Sequence, residues 1–126
     1  MIGNKIAAAF NEQMNRELYS SYLYLSMAAY FHSADLGGFA GWMRVQAKEE
    51  DLHAMKFFEH LRDRGARIAL EQIDKPKGVW KSPLEAFRAA YEHERFITSK
   101  INGLYLLAEK ESDYAAKVFL DWFVKE

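Results

Sequence analysis

Very few residues in this chain break a helix, and this feature most limits the folds open to it. The 126 residues include two prolines, Pro76 and Pro83, and neither glycine nor proline lies between Gly3 and Gly37. Mostly apolar side chains recur through this stretch at the helical period, so they would share one helix face. This pattern predicts a first helix over residues 2–32. The predicted face consists of Ile6, Phe10, Met14, Glu17, Ser21, Tyr24, Ala28 and Phe31.

A second long helix is predicted over residues 39–64. The connection before it, residues 33–38, is so short that the two helices must run antiparallel. We expect Gly37 and Gly38 to supply positive φ in this turn, because glycine adopts that conformation without steric cost. Gly65 is well placed to end the second helix, as glycines often do.

A long connection, residues 66–81, separates the second helix from the third. Ser82, Pro83 and Glu85 form a strong helix start, with serine at the N-cap, proline in the first turn and a capping-box acid. The third helix is therefore predicted over residues 83–111, and we favour a full-length crossover that makes it parallel to the second. Apolar residues in the connection predict an extended path over an apolar surface: Ile68, Leu70 and Ile73.

A fourth helix is predicted to begin after Ser112 and Asp113 and to continue to Glu126, the last residue. It is too short to cover partners of twice its length, so we expect it to be truncated. Its predicted apolar set is Val118, Phe119, Trp122 and Phe123. The fold class is thus all-α: one domain, residues 1–126, built as a four-helix bundle with a long crossover between the second and third helices.

The composition excludes several classes of function. The net charge is −1, which argues against nucleic acid or anionic lipid as the main partner. No cysteine is present, so any metal must be held by oxygen and imidazole nitrogen, a donor set suited to iron, manganese or zinc. Neither a signal-peptide pattern nor a membrane-length apolar run is found, which predicts a cytoplasmic protein.

Three acids interrupt otherwise apolar helix faces: Glu17, Glu50 and Glu94, each on a different predicted helix. His53 lies one turn after Glu50 and shares its face. Buried carboxylates are costly unless something neutralises them. Inward-facing glutamates and a Glu-x-x-His pair are the ligands of di-iron carboxylate bundles, so the set predicts a metal centre.

Other interpretations of these residues stay open. Glu17 and Glu94 could instead lie at stripe edges and pair with Arg16 and Arg95. Tyr24, two turns after Glu17, is either a core aromatic or a hydrogen-bond donor beside the metal site. The remaining histidines are expected to be solvated or to cap helices: His32, His60 and His93.

Four segments closely resemble the non-haem ferritins of bacteria and archaea. They are residues 11–28 (NEQMNRELYSSYLYLSMA), 49–57 (EEDLHAMKF), 91–94 (YEHE) and 119–126 (FLDWFVKE). The resemblance spans the whole chain, but the family's fourth helix continues for several turns beyond the position of Glu126, towards a further ligand-bearing turn and a short fifth helix. It implies a ferritin-like bundle with a ferroxidase centre.

The resemblance also implies roles for individual residues. Glu50 would bridge two irons, Glu17 and His53 would bind opposite irons or flank one, and Glu94 would hold the second iron. Acids of a possible third iron site match Glu49 and Glu126, and aromatics beside the centre match Tyr24 and Trp122. Haem is not expected, because Asp51 occupies the position of the haem-ligating methionine of haem-binding ferritins.

The function implied is iron storage with ferroxidase activity. Fe(II) would be the substrate, dioxygen or hydrogen peroxide the oxidant, and a homo-oligomeric shell of twenty-four subunits the store for the ferric mineral. Two alternatives are a di-iron peroxide reductase like rubrerythrin and a metal-free helical structural module. No nucleic-acid or membrane partner is expected.

Overall fold

The computed structural model describes all 126 residues, and its only regular elements are four helices. The all-α prediction is confirmed. The helices are α1 (Asn4–Ser33), α2 (Gly37–Asp63), α3 (Pro83–Lys110) and α4 (Tyr114–Lys125).

Each of the first three helices ends in the same left-handed turn, but only one of these turns uses a glycine. Gly65, with φ of 72°, ends α2 as predicted, and the next amide donates to the carbonyl of Leu61. Asp35 and Ser112 occupy the equivalent positions after α1 and α3, with φ of 59° and 53°. The expectation for Gly37 and Gly38 was wrong, because Asp35 already closes the turn and both glycines lie within the first turn of α2.

Two asparagines of α1 hold the first part of the crossover. The Asn11 amide donates to the carbonyl of Arg67 at 2.8 Å, and its oxygen accepts from the Ala69 N–H at 2.7 Å. One turn later, Asn15 donates to the carbonyl of Ala69 and accepts from the Glu71 N–H, both at 2.9 Å. These side chains satisfy backbone groups at every second residue of the crossover, which is therefore extended along α1.

The crossover then continues towards the C-terminal end of α1. The Ser26 hydroxyl donates to the carbonyl of Lys77 at 2.7 Å. At the start of α3, the ring of Phe87 packs on Phe39 and Trp42, with centroid distances of 5.0 and 5.9 Å. Since Phe39 and Trp42 lie at the start of α2, α3 runs parallel to α2, as the full-length crossover predicted.

The start of α3 follows the capping prediction in part. Pro83 occupies the first turn, and the Glu85 N–H donates to the Ser82 hydroxyl at 3.2 Å. The reciprocal bond of a capping box does not form, because the Glu85 carboxylate pairs with Arg88 at 2.8 Å.

The core consists of two apolar clusters, one towards each end of the bundle. Phe10, Met14 and Ala54 belong to the first, and Tyr24 and Ala47 belong to the second. Between them, α1 and α2 contribute a layer of four buried polar side chains: Gln13, Glu17, Ser20 and Glu50. The interior of the bundle is thus apolar except in one layer near its middle.

Three side chains that the sequence analysis assigned to apolar surfaces are exposed: Leu70, Val118 and Trp122. Phe39 and Tyr91 are exposed as well. For Tyr91, on the N-terminal half of α3, the reason is the length of α4. The 12 residues of α4 pack beside the C-terminal half of α3, where Lys117 contacts Glu109 at 3.5 Å, and do not cover Tyr91.

Candidate metal centre

Glu17, Glu50 and His53 meet in the polar layer. Each offers one ligand atom, and these atoms all lie within 4.8 Å of one another. His53 Nδ1 is 3.3 Å from Glu50 Oε2 and 3.7 Å from Glu17 Oε2. Glu17 comes from α1, whereas Glu50 and His53 lie one turn apart on the face of α2 that packs against it. The predicted convergence of these three residues is what the structure shows.

Both carboxylates are withdrawn from water, with exposures of 0% for Glu17 and 4% for Glu50. The Oε2 atoms of Glu17 and Glu50 are buried and accept no hydrogen bond. A buried oxygen without a donor costs about 1–3 kcal/mol, and more when it is charged. A bound cation would remove this cost, so the pair fits a metal.

Burial and mutual contact set the protonation of the three groups in the absence of metal. Burial disfavours the Glu17 carboxylate, but the neighbouring His53 imidazole and other polar contacts outweigh it and lower the pKa of Glu17. Burial raises the pKa of Glu50 to about 8; the Glu17 carboxylate adds to this shift, and His53 opposes it. Burial alone would lower the pKa of His53, yet the two carboxylates raise it to about 10. Without metal, these shifts favour a proton on Glu50 and on His53 and keep Glu17 ionised.

A cavity of about 200 Å³ lies against this group. Its lining includes Glu17, Glu50 and His53, together with Glu94 from α3 and Glu126, the residue after α4. Glu94 is exposed rather than buried, contrary to its predicted place in a core stripe, because α4 leaves that part of α3 uncovered.

Tyr24 connects the buried group to Glu94. Its ring is buried, and its hydroxyl donates a hydrogen bond to Glu94 Oε1. Burial, followed by the bond to Glu94, raises the pKa of Tyr24 far above its usual value, so the phenol stays protonated and remains a donor. Of the two acids predicted for a third iron site, Glu126 reaches the cavity, whereas Glu49 is exposed and does not line it.

Comparison with known proteins shows the family of this chain. The family model described as "Ferritin-like domain" matches residues 7–126. This chain belongs to the ferritin family. It is 39% identical over 126 residues to a bacterial non-heme ferritin of Staphylococcus epidermidis, covering all of this chain and 76% of the relative. A bacterial non-heme ferritin of Bacteroides fragilis is 40% identical, with 79% of its length covered.

Solved structures of ferritins have the same fold. The open-pore ferritin of the hyperthermophilic archaeon Archaeoglobus fulgidus matches with a TM-score of 0.97 and 48% identity, covering 99% of this chain and 77% of that one. A ferritin of Chlorobium tepidum matches with a TM-score of 0.97 and 37% identity, over 99% and 77% of the two chains. Iron storage is the function that these relationships support for the ferritin described here, ahead of a peroxide reductase or a metal-free module.

None of the four helices combines the length and the apolar character needed to cross a bilayer.

The arginine pairings considered for Glu17 and Glu94 are not formed. Arg16 pairs with Glu12, not with Glu17, and Arg95 lies 3.8 Å from Glu92, not beside Glu94. No arginine or lysine therefore neutralises the buried carboxylates of this ferritin.

Sequence reasoning missed the packing of two histidines and the burial of Gln13. His93 is half-buried, with Nε2 at 2.7 Å from the Ser20 hydroxyl, and His60 stacks on Phe119 with ring centroids 4.5 Å apart. The expectation that these two histidines are solvated or capping was wrong; His32 is exposed as predicted. Gln13 was also missed, although its position one turn before Glu17 could have indicated it.

Proposed function

We propose that this ferritin oxidises ferrous iron at a di-iron centre held by Glu17, Glu50, His53 and Glu94. The observation that carries the proposal is the pair of buried Oε2 atoms of Glu17 and Glu50, which have no hydrogen-bond donor and lie beside an imidazole at a cavity wall. Oxygen and imidazole donors without thiolate suit iron.

Charge balance supports two ferrous ions as the substrate. The three carboxylates contribute three negative charges, and two ferrous ions contribute four positive charges. The Glu50 acid and the His53 imidazolium must each release a proton before they can bind a metal. Two ferrous ions then supply two electrons, enough to reduce one dioxygen, which takes up two protons, to hydrogen peroxide. Hydrogen peroxide is the second oxidant to test.

Each side chain has a distinct place in this proposal. Glu50, on the shared wall between Glu17 and His53, would bridge the two irons. Glu94 would hold the second iron, with one of its oxygens fixed by the Tyr24 hydroxyl. Glu126, and Glu49 after a side-chain rearrangement, would form the third iron site.

The ferroxidase step is tested by adding Fe(II) anaerobically, admitting air and following ferric absorbance in the near ultraviolet. Glu50→Ala and His53→Ala should each oxidise iron at least about 100-fold more slowly, since loss of a residue that only supports a ligand already costs about 10–100-fold. Glu59→Ala, an exposed acid on the same helix, is the matched control and should oxidise iron normally. Oxidation at the normal rate by both site variants would refute the proposal.

Storage requires an enclosed space, and we propose that copies of this ferritin assemble into a twenty-four-subunit shell in the cytoplasm. Size-exclusion chromatography with multi-angle light scattering, before and after iron loading, measures the assembly directly. A monomer under both conditions would contradict the shell while leaving the oxidation test unaffected.

A further inference from the structure

Gln13 is a fully buried polar side chain that makes direct contact with a proposed iron ligand. It lies on α1, one turn before Glu17, and its exposure is 0%. Its Nε2 donates to Glu17 Oε1 at 3.1 Å. Because the other carboxylate oxygen of Glu17 accepts no hydrogen bond, the two oxygens of this residue are in different states.

The orientation of the Gln13 amide is fixed from its other side by Arg16. Arg16 Nη1 lies 3.2 Å from Gln13 Oε1 and donates to it. A guanidinium has only donors, so the amide must turn its oxygen towards Arg16. Its NH₂ group then faces Glu17, where a carboxylate accepts. The amide therefore has one favourable orientation, set jointly by a cation and an anion.

We propose that Gln13 is a positioning residue: its amide occupies Oε1 of Glu17 and so leaves Oε2 as the single oxygen that Glu17 presents to iron. This inference rests on the proposed iron centre. The occupied oxygen also fixes the rotation of the carboxylate, so that Oε2 stays near Glu50 and His53 when no metal is bound. A side chain held in this way needs little reordering when iron binds.

Gln46 offers a natural comparison on α2. It lies four residues before Glu50, the same spacing that separates Gln13 from Glu17, and it is half-buried. Gln46 makes no hydrogen bond to Glu50, whose Oε2 lies beside His53 instead. Identical substitutions at the two glutamines differ in whether a bond to a proposed ligand is lost, and Gln46 is the less buried of the two.

The test is anaerobic titration of the metal-free protein with Co(II) alone, followed by visible absorption. Gln13→Met keeps the length and approximate volume of the side chain but cannot donate, and we expect it to bind Co(II) about 10-fold or more weakly. Freed Oε1 lets Glu17 bind through both oxygens, which raises the coordination number and lowers the intensity of the Co(II) bands. Gln46→Met should match the unmodified protein in affinity and spectrum.

The outcomes separate this inference from the function on which it rests. Unchanged affinity and spectrum in Gln13→Met would overturn the inference while leaving iron oxidation intact. Equal weakening in both methionine variants would overturn it too, because the effect would then be one of packing. Absence of Co(II) binding by the unmodified protein would refute the proposed metal centre itself.

Arg16→Met provides a second variant if Gln13→Met does not fold. Arg16 lies nearer the surface, and its removal frees the Gln13 amide to rotate without emptying buried volume. We expect Co(II) affinity several-fold below that of the unmodified protein, in line with losses of about 10–100-fold for closer partners of a ligand. Unchanged affinity would overturn the orienting role assigned to the amide.

Discussion

The two walls of the cavity beside Glu17 and Glu50 differ in the burial of their carboxylates. The wall from α1 and α2 places Glu17 and Glu50 in the buried polar layer, with His53 beside them. The wall from α3 and α4 contributes Glu94 and Glu126, both exposed. Glu17 and Glu50 are buried because they lie between two tightly packed apolar clusters, whereas Glu94 and Glu126 stay exposed to solvent.

This difference in burial changes what it costs each wall to bind a cation. On the buried wall, the Oε2 atoms of Glu17 and Glu50 lack a hydrogen-bond donor, which favours a cation there once Glu50 and His53 have released their protons. On the open wall, an exposed carboxylate can bind and release an ion with little desolvation. We therefore expect tight binding at the first wall and exchange at the second.

The largest expected effect separates the walls by metal stoichiometry. Glu17→Ala should weaken Co(II) binding at least about 100-fold, because a buried ligand is lost. Glu94→Ala should keep one tightly bound ion and lose only the second. Isothermal titration calorimetry under anaerobic conditions measures both affinity and stoichiometry. Equal losses in the two variants would show that the walls contribute alike and would break the comparison.

A smaller effect concerns the contact that fixes α4 beside the cavity. Arg64 Nη1 donates to both carboxylate oxygens of Asp113 at 2.8 Å, and Asp113 caps α4 by accepting from the Ala116 N–H. Asp113→Ala should lower the free energy of unfolding by about 2 kcal/mol, from the lost cap and the charged hydrogen bonds. Chemical denaturation at pH 7 measures this loss.

Asp113→Asn is the matched control, since it keeps a cap acceptor and loses the charge. Burial opposes ionisation of Asp113, but the Arg64 guanidinium and the Ala116 N–H lower its pKa below the usual 3.8. The stability it contributes is therefore present above about pH 4 and is lost as the pH falls through the lowered pKa. If Asp113→Ala and Asp113→Asn were equally unstable at pH 7, the charge rather than the cap would hold α4.

The smallest expected effect is a pH slope that originates on the buried wall. The pKa of Glu50 rises from 4.5 to about 8, chiefly through burial, so the folded protein keeps a proton that the unfolded chain loses. The free energy of unfolding of the metal-free protein should then fall as pH rises from about 5 to 6.5, by at most about 1.4 kcal/mol per unit; above pH 6.5 the raised pKa of His53 adds a slope of the same sign.

Glu50→Gln should remove most of the slope below pH 6.5, because the amide has the shape of the protonated acid and does not titrate. Glu59→Gln, on the exposed face of α2, should keep it. Thermal unfolding at a series of pH values, with chelator present, checks both. A slope that persists in Glu50→Gln over that lower range would place the titrating group elsewhere.

Helical periodicity and capping predicted the order and limits of the helices closely. Ser82, Pro83 and Gly65 acted locally, as their chemistry dictates, so the start of α3 and the end of α2 were predictable. The left-handed turn at Asp35 was not predictable, because a polar residue gives a weaker sequence signal for such a turn than a nearby glycine does. The full-length crossover followed from its length, but the asparagines that hold it could be found only in three dimensions.

The buried wall of the centre was predictable and the open wall only in part. Glu17, Glu50 and His53 interrupt stripes that are buried in the structure. The helical period and the chemistry of these residues therefore led to the same prediction. Glu94 lies on a stripe whose burial depends on how far a neighbouring helix extends. The periodicity of α3 carries no information about that. Gln13 was missed because a glutamine on a helix is usually a surface residue, and only its contact with Glu17 distinguishes it.

The hydrogen bonds from Asn11 and Asn15 to the crossover affect which of its residues can be substituted. Because the amides contact only main-chain atoms of residues 67–71, no side chain in that segment is specified by this attachment. The outward residues there can be exchanged for others of different charge or size while the path stays the same. This strip of the molecule is a place to attach labels or new epitopes without disturbing the chemistry inside.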